Sequence, residues 1–328
     1  MNIYDIAREA NVSIATVSRV MNNKQNISSK TRKKVEAVLQ KYNYTPSSIA
    51  RGLASSSMRM VGMVMQDIRN THYTDTAYVI EQELRKKGFC CLFCNTDSAD
   101  PTNAFKMLRD FRVNGIILIG SPFMNEATEK AVEVYHPNTQ IVFVNGVMER
   151  ENVCSVQCDD RAGIEMTVEH LVDRGHSRIL YIDDQETDSV RRKREGYCTV
   201  MNRHFPGYAD SHMLRSRVEG FEGGYQTMKA FLATGEEVTA VVCSEDVVAL
   251  GAIRALEEAE LSIPGDVAVA GFNNAWVGKL SRHVLTSADT GLSLIGVEAT
   301  RALCDRLEGV ERPDRITLAP KLFIGTTT

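Results

Sequence analysis

From residue 60 onward, short apolar and β-branched runs alternate with longer amphipathic stretches. The runs fall at 60–65, 89–94, 115–119, 141–144, 178–182, 239–243 and 267–271. Between them lie helical patterns at 74–87, 101–112, 125–135, 160–174, 190–203, 223–233, 246–259 and 291–307. Such alternation predicts α/β architecture with mainly parallel sheets. About eleven strand–helix units are too many for one comfortable sheet, so two lobes are expected. Parallel sheets bind ligands at the carboxyl ends of their strands. With two lobes, those ends can face each other across a cleft.

The first 45 residues follow another rule. Three short helices are expected. The first carries Ile6 and Ala7 inward and ends at Asn11, a residue suited to a left-handed turn. Ser13 caps the second, whose apolar face is Val12, Val17 and Val20. Asn22 and Asn23 break the pattern. Ser28 caps the third, with Val35, Val38 and Leu39 inward. Helix, tight turn, helix and a packing helix make a helix-turn-helix head. Residues 46–58 begin with a helix-breaking proline and hold five serines. On composition alone they read as a flexible linker.

The overall net charge of −4 argues against a polyanionic partner, but it hides an asymmetry. Residues 1–57 hold nine Lys/Arg and three Asp/Glu, a net +6, which leaves −10 on the remainder. A basic head on an acidic body fits a head that meets nucleic acid. No apolar run reaches the roughly 18 residues of a membrane span. The start of the chain lacks a basic end followed by an apolar stretch, so no signal peptide is expected. Cys91-x-x-Cys94 and Cys154-x-x-x-Cys158 have metal-like spacing, but residues 89–94 read as a buried strand with adjacent side chains facing opposite ways. Free thiols, no metal and no cofactor are expected, in a cytoplasmic protein.

Enzyme signatures are missing from the sequence: no Walker loop, no Gly-x-Gly-x-x-Gly after a strand, no Gly-x-Ser-x-Gly, no His-Glu-x-x-His. Asp159-Asp160 directly precedes a helical pattern and reads as a capping pair rather than as acid and base. No enzymatic activity is expected.

The run Ile3-Tyr4-Asp5-Ile6-Ala7-Arg8-Glu9-Ala10-Asn11-Val12-Ser13-Ile14-Ala15-Thr16-Val17-Ser18-Arg19-Val20-Met21-Asn22 closely resembles the LacI/GalR family of bacterial transcription regulators. So do Ser28-x-x-Thr31-Arg32-x-x-Val35, Tyr42-x-Tyr44-x-Pro46 and the hinge-like Ile49-Ala50-Arg51-Gly52-Leu53. Head and hinge look most like the catabolite-control-protein branch. In the body, Val113-Asn114-Gly115-Ile116-Ile117-Leu118, Asp159-Asp160-x-x-Gly163, Asp246-x-x-Ala249-x-Gly251-Ala252 and Gly271-Phe272 continue the likeness across the chain.

The resemblance implies a helix-turn-helix domain at 1–45, a hinge helix at 46–58 and a periplasmic-binding-protein-like body at 59–328. Lobe 1 would be about 60–160 and 290–320, and lobe 2 about 161–289 and 321–328. The implied function is a transcription regulator, a repressor by expectation, that binds a near-palindromic operator as a homodimer. Its effector would be a small molecule in the inter-lobe cleft, a sugar or sugar derivative. A variant of this reading has a protein co-regulator as the gate. A solute-binding protein of transport is the rival from another class, and the basic head speaks against it.

On DNA, Ile14 and Ala15 occupy the family's specificity positions and can read thymine methyls. Arg19 can grip guanine O6 and N7. Thr16, Ser18, Asn22 and Thr31 are phosphate or base contacts by this reading. Leu53 would wedge between base pairs in the minor groove, where small Ala50 allows close approach. In the cleft, the family's Asp-x-x-Asn-Pro-Phe-Phe stands as Asp67-Ile68-Arg69-Asn70-Thr71-His72-Tyr73, making Asp67, His72 and Tyr73 candidates. The family's Arg-x-x-Gly-Phe has Lys193 at its arginine position, and which cation of that run enters the cleft stays open; Arg191 and Arg194 are candidates. Asn273 can hold a hydroxyl pair, and Asp246 can do so or cap its helix. Trp276 can stack on a sugar or pack in the core. Ser121, Asn145 and Asp289 complete the lining.

Overall fold

A computed structural model describes residues 3–21, 27–42, 59–280 and 282–328. The chain divides into two compact units, residues 1–58 and 59–328.

In the first unit, α1 (Ile3–Ala10), α2 (Ile14–Met21) and α3 (Ser29–Lys41) bury one small core. Ile6, Ala7, Ala10, Val17, Val20, Val35 and Val38 form it. Asn11 takes φ 49, which lets the chain turn sharply between α1 and α2. Ser13 Oγ accepts from Thr16 N at 3.1 Å, and Ser28 Oγ accepts from Thr31 N at 3.2 Å. Each serine satisfies an amide the helix start leaves orphaned. Ser28→Ala is expected to destabilise α3 by about 1 kcal/mol. Faster hydrogen exchange of the α3 amides in the full chain would report it.

The second unit is two-lobed α/β. One sheet has the order β11–β5–β4–β3–β1–β2, all parallel, built from β1 (Met60–Met65), β2 (Cys90–Asn95), β3 (Gly115–Ile119), β4 (Gln140–Val144), β5 (Val153–Cys158) and β11 (Arg315–Leu318). The other has the order β12–β10–β9–β8–β6–β7. Its strands are β6 (Ile179–Asp183), β7 (Met213–Arg215), β8 (Ala240–Cys243), β9 (Ala268–Phe272), β10 (Thr286–Asp289) and β12 (Lys321–Phe323), and only β12 runs antiparallel. Helices cover both faces, so central strands such as β3 are buried throughout.

The chain passes between the lobes three times. β5 belongs to the first sheet, but Ile164, Val168 and Leu171 of α7 (Asp160–Asp173) pack with Ala268, Phe272 and Ala288 of the second. β10 belongs to the second sheet, but Ile295, Ala299 and Leu303 of α11 (Leu292–Leu307) pack on Val61, Ile117 and Val142 of the first. The last passage joins β11 to β12. Three passages therefore connect the lobes.

Within the second lobe, α9 (Gly220–Leu232) and α10 (Asp246–Glu258) cross backbone to backbone. A Cβ on Gly251 would stand 2.0 Å from Phe221 O, so only glycine permits this approach. Residues 89–94 are not the buried strand expected. β2 is a sheet edge, with Cys90 exposed and Phe93 turned to solvent. Of the described helices, none is long and apolar enough to cross a membrane.

Candidate functional site

Two surfaces hold the candidate residues, one in each unit. On α2 the inward residues Val17 and Val20 leave the opposite face open. Ile14 is 40% exposed, and Ala15 and Arg19 are exposed beside it. Thr16 is half-buried, and its hydroxyl lies 2.9 Å from Ser13 Oγ, so it also serves the cap. Ser18 is half-buried on the same helix. Thr31 Oγ1 lies 2.8 Å from Ser28 Oγ at the start of α3. Asn22, Ala50 and Leu53 lie outside the described residues.

The second surface is a polar cleft between the two sheets of the body, which encloses a cavity of about 20 Å³, room for about one water. From the first lobe come His72 and Tyr73 on α4 (Thr71–Lys86), Ser121 after β3, and Asn145 after β4. From the second come Gln185 after β6, Lys193 on α8 (Asp188–His204), Glu245 after β8, and Asn273 after β9. Asp160 and Thr290, at two of the passages between lobes, close it. Most of these residues sit just past strand carboxyl ends, where parallel sheets place ligands. Asn145 and Asn273 take φ 55 and 95 there. That left-handed backbone turns the chain back and leaves both amides lining the cavity.

The polar groups are tightly arranged. Asn145 Nδ2 donates to His72 Nε2 at 2.7 Å. Burial holds the His72 imidazole far below its usual range, at about 3, with the Lys193 charge adding to the effect. The ring is therefore neutral, and with Nε2 accepting, its proton sits on Nδ1. That Nδ1 is buried and has no partner, and neither has Thr290 Oγ1. Lys193 Nζ donates to Ser244 O at 2.9 Å and lies 4.1 Å from the centre of the Phe272 ring. Burial, reinforced by Asp184, pushes the Glu245 carboxyl up to about 7. Burial raises Asp184 too, although Gly220 N donates to it at 2.6 Å.

The description of periplasmic binding proteins and the sugar binding domain of the LacI family matches residues 58–326, and that of bacterial regulatory proteins of the lacI family matches residues 2–47. The chain belongs to the LacI family. An HTH-type transcriptional regulator of Lachnoclostridium phytofermentans is 30% identical over 333 residues, covering 100% of this chain and 99% of the relative. Catabolite control protein A of Staphylococcus xylosus is 30% identical over 334 residues, with the same coverage. The lac repressor bound to ONPG in its repressed state superposes with a TM-score of 0.88 at 25% identity, covering 100% of this chain and 99% of that one. These relatives regulate transcription, and this LacI-family chain is a transcription regulator with a DNA-binding domain and an effector-binding domain, not an enzyme.

The cleft of this LacI-family regulator revises several expectations. Lys193, not Arg191 or Arg194, lines the cavity. Arg191 lies on the outer face of α8, paired with Asp188 and Glu195. Arg194 holds Asp183 through two bonds of 2.6 Å. Helical geometry explains the choice: 193 faces the lobe junction with Val190 and Tyr197, while 191 and 194 face away. Asp246 does not line the cavity. It accepts from Ala275 N at 2.6 Å and from Ser287 Oγ at 2.7 Å, so it ties α10 to the turn after β9 and to β10.

Trp276 is neither in the cavity nor in the core. It is 52% exposed and lines an adjoining groove with Asp289, which accepts from Asn274 Nδ2 at 3.1 Å. Asp67 lines the groove on the other side, where Arg69 pairs with it at 2.7 Å. Gln185, Thr187, Ser189, Glu245, Asp160 and Thr290 line the cavity without having been expected there. Glu245 had one available signal: it stands two residues past the apolar run 239–243 and immediately before the helix of Asp246.

Proposed function

We propose that this regulator represses transcription by binding a near-palindromic operator as a homodimer, and that a small sugar or sugar derivative between the lobes gates it. The observation that carries the effector reading is the cavity itself. It is polar, lies between two sheets joined by three passages, and is lined by His72 and Thr290, each of which holds a buried polar atom without a partner, Nδ1 and Oγ1. Buried polar groups are normally satisfied. A ligand hydroxyl at each would complete them. The likeness to a lac repressor bound to ONPG supports a small-molecule effector. Operator contact is assigned to Ile14, Ala15, Thr16, Ser18, Arg19, Asn22 and Thr31, with Ala50 and Leu53 entering the minor groove.

Ligand between the lobes would change their angle and so the spacing of the two heads on DNA. A thermal-shift screen of sugars, sugar phosphates and nucleobases tests the effector reading. A ligand at a hundred times its dissociation constant adds about 2.7 kcal/mol. At about 2–4 °C per kcal/mol, Tm should rise by about 5–10 °C. A flat response across the screen would count against it. The second reading, which the resemblance of head and hinge to the catabolite-control-protein branch implies, is gating by a protein co-regulator. Retention of a cytoplasmic phosphocarrier protein on the immobilised regulator would support that reading.

A further inference from the structure

The charges around the cavity do not balance. Glu245 lines both the cavity and the groove beside it, and Asp184 and Glu219 line that groove with it. The arginines nearby are taken up elsewhere. Arg192 pairs with Asp160 and Asp188, Arg194 with Asp183, and Arg215 with Asp183 and Glu186. Glu245 precedes α10, but its carboxylate caps no amide of that helix. Gln185 Nε2 reaches Glu219 at 3.3 Å, a neutral contact. Lys193 is the single cation lining the cavity among the described residues, and the groove beside it, lined by Asp184, Glu219 and Glu245, has Arg69, which is paired with Asp67. Glu219 is exposed, but Asp184 is buried and Glu245 half-buried; carboxylates withdrawn from water without a cation are costly, and a bound cation removes that cost.

The second observation is independent of charge. His72 is 8% exposed and Thr290 is 2% exposed; both line the same cavity, and each holds a buried polar atom without a partner. Neutral His72 offers Nδ1–H as a donor, which needs an oxygen. Thr290 offers a hydroxyl that can donate or accept. These groups call for hydroxyls on the ligand, as do the amides of Asn145 and Asn273. A bare cation would satisfy the carboxylates and leave His72 and Thr290 orphaned. A neutral sugar would do the reverse.

We infer that the effector is an amino sugar, its ammonium held by Glu245 and Asp184 and its hydroxyls meeting His72 Nδ1–H and Thr290. This rests on reading the inter-lobe cavity as the effector site, with the lobes parting to admit the sugar, since the space enclosed here is about 20 Å³. The amine must be free, since acylation removes its charge.

The test is a paired titration of the full-length regulator, by calorimetry and thermal shift. The probes are glucosamine, galactosamine and mannosamine, each beside its neutral hexose and its N-acetyl form. At least one free amine should bind at least about tenfold more tightly than both of its partners, as a charge-assisted hydrogen bond provides. Glu245→Gln should abolish that preference while keeping the side-chain volume. Its unliganded Tm shows whether it folds, and Asp184→Asn serves as the second variant because it keeps an acceptor for Gly220 N. Neutral hexoses binding as well as their amines would overturn the amine and leave the sugar reading standing. A preference that survives both variants would overturn the role of these carboxylates. Silence across all nine probes, with a response to other sugars, overturns the amine alone; silence to every sugar overturns both.

Discussion

Arg19→Ala is expected to weaken operator binding by about 2–6 kcal/mol, because each well-made bidentate arginine–guanine pair contributes about 1–3 kcal/mol and a dimer carries two. That corresponds to about 30-fold to more than a thousandfold in Kd. α2 presents Arg19 on the exposed face with Ile14 and Ala15, while Val17 and Val20 fix the helix to the head core. The apolar pair cannot hydrogen-bond to a base, so the guanidinium is the strongest reader on that face. The signature separates base reading from phosphate contact. Base reading relaxes preference at one symmetric pair of operator positions. Phosphate contact weakens all sequences alike and lowers the salt dependence by about one counterion per half-site. Anisotropy titrations against operators varied one position at a time would read the difference. Leu53→Ala gives a contrasting loss. A minor-groove wedge exchanges a few kcal/mol of unstacking for the wider contact of bent DNA. Its removal should abolish high-affinity binding and the bend together, leaving effector binding intact. Unchanged affinity in a gel-shift titration would refute the wedge.

The reasons these two surfaces were unequally legible are physical. The head core is made by neighbours at helical spacing, so Ile6, Val17 and Val35 declare themselves in sequence. The central strands do the same, since burial on both faces makes β3 and β9 continuous apolar runs. β7, β11 and β12 have no such signal. They are three or four residues long, lie at or near sheet margins, and carry charged residues such as Arg215, Arg315 and Lys321. β5 and β10 interleave Ser155, Gln157, Thr286 and Ser287 with apolar residues and so fall below any apolar-run criterion.

The cavity depends on loops after strand ends, brought together by sheet order rather than by sequence. Gln185, Glu245 and Asn273 become neighbours because β6, β8 and β9 are adjacent in the sheet. The choice of cation shows the remaining limit. Four consecutive basic residues at 191–194 look equivalent in sequence. Only the packing of α8 decides that Lys193 points inward while its neighbours pair with Asp188, Asp160 and Asp183.

Lys193→Met should destabilise the unliganded body in a pH-dependent way. Lys193 is 3% exposed, and its charge offsets Glu245 and Asp184, both of which burial already raises. Removing one side of a buried charge group costs about 3–5 kcal/mol, or about 6–20 °C in Tm. The sign follows from linkage. Acids raised on folding keep their full stability below their unfolded values, near 4.5 for Glu245 and 3.8 for Asp184, and lose it as pH rises through the folded values. Loss of Lys193 raises those folded values further, so the deficit grows toward alkaline pH. His72 tilts the curve the same way. Its depressed folded value gives stability that is complete above pH 6.5 and lost as pH falls toward about 3. Without the Lys193 charge that depression lessens, so the variant loses less on the acid side. The gap between wild type and variant should therefore be clearly larger at pH 8 than at pH 5. If charge balance is the cause, adding Glu245→Gln to the variant should restore much of the Tm at pH 8 and little at pH 5. A deficit independent of pH, and not relieved by Glu245→Gln, would mean that the lysine acts through its packing on Phe272 and its bond to Ser244 O.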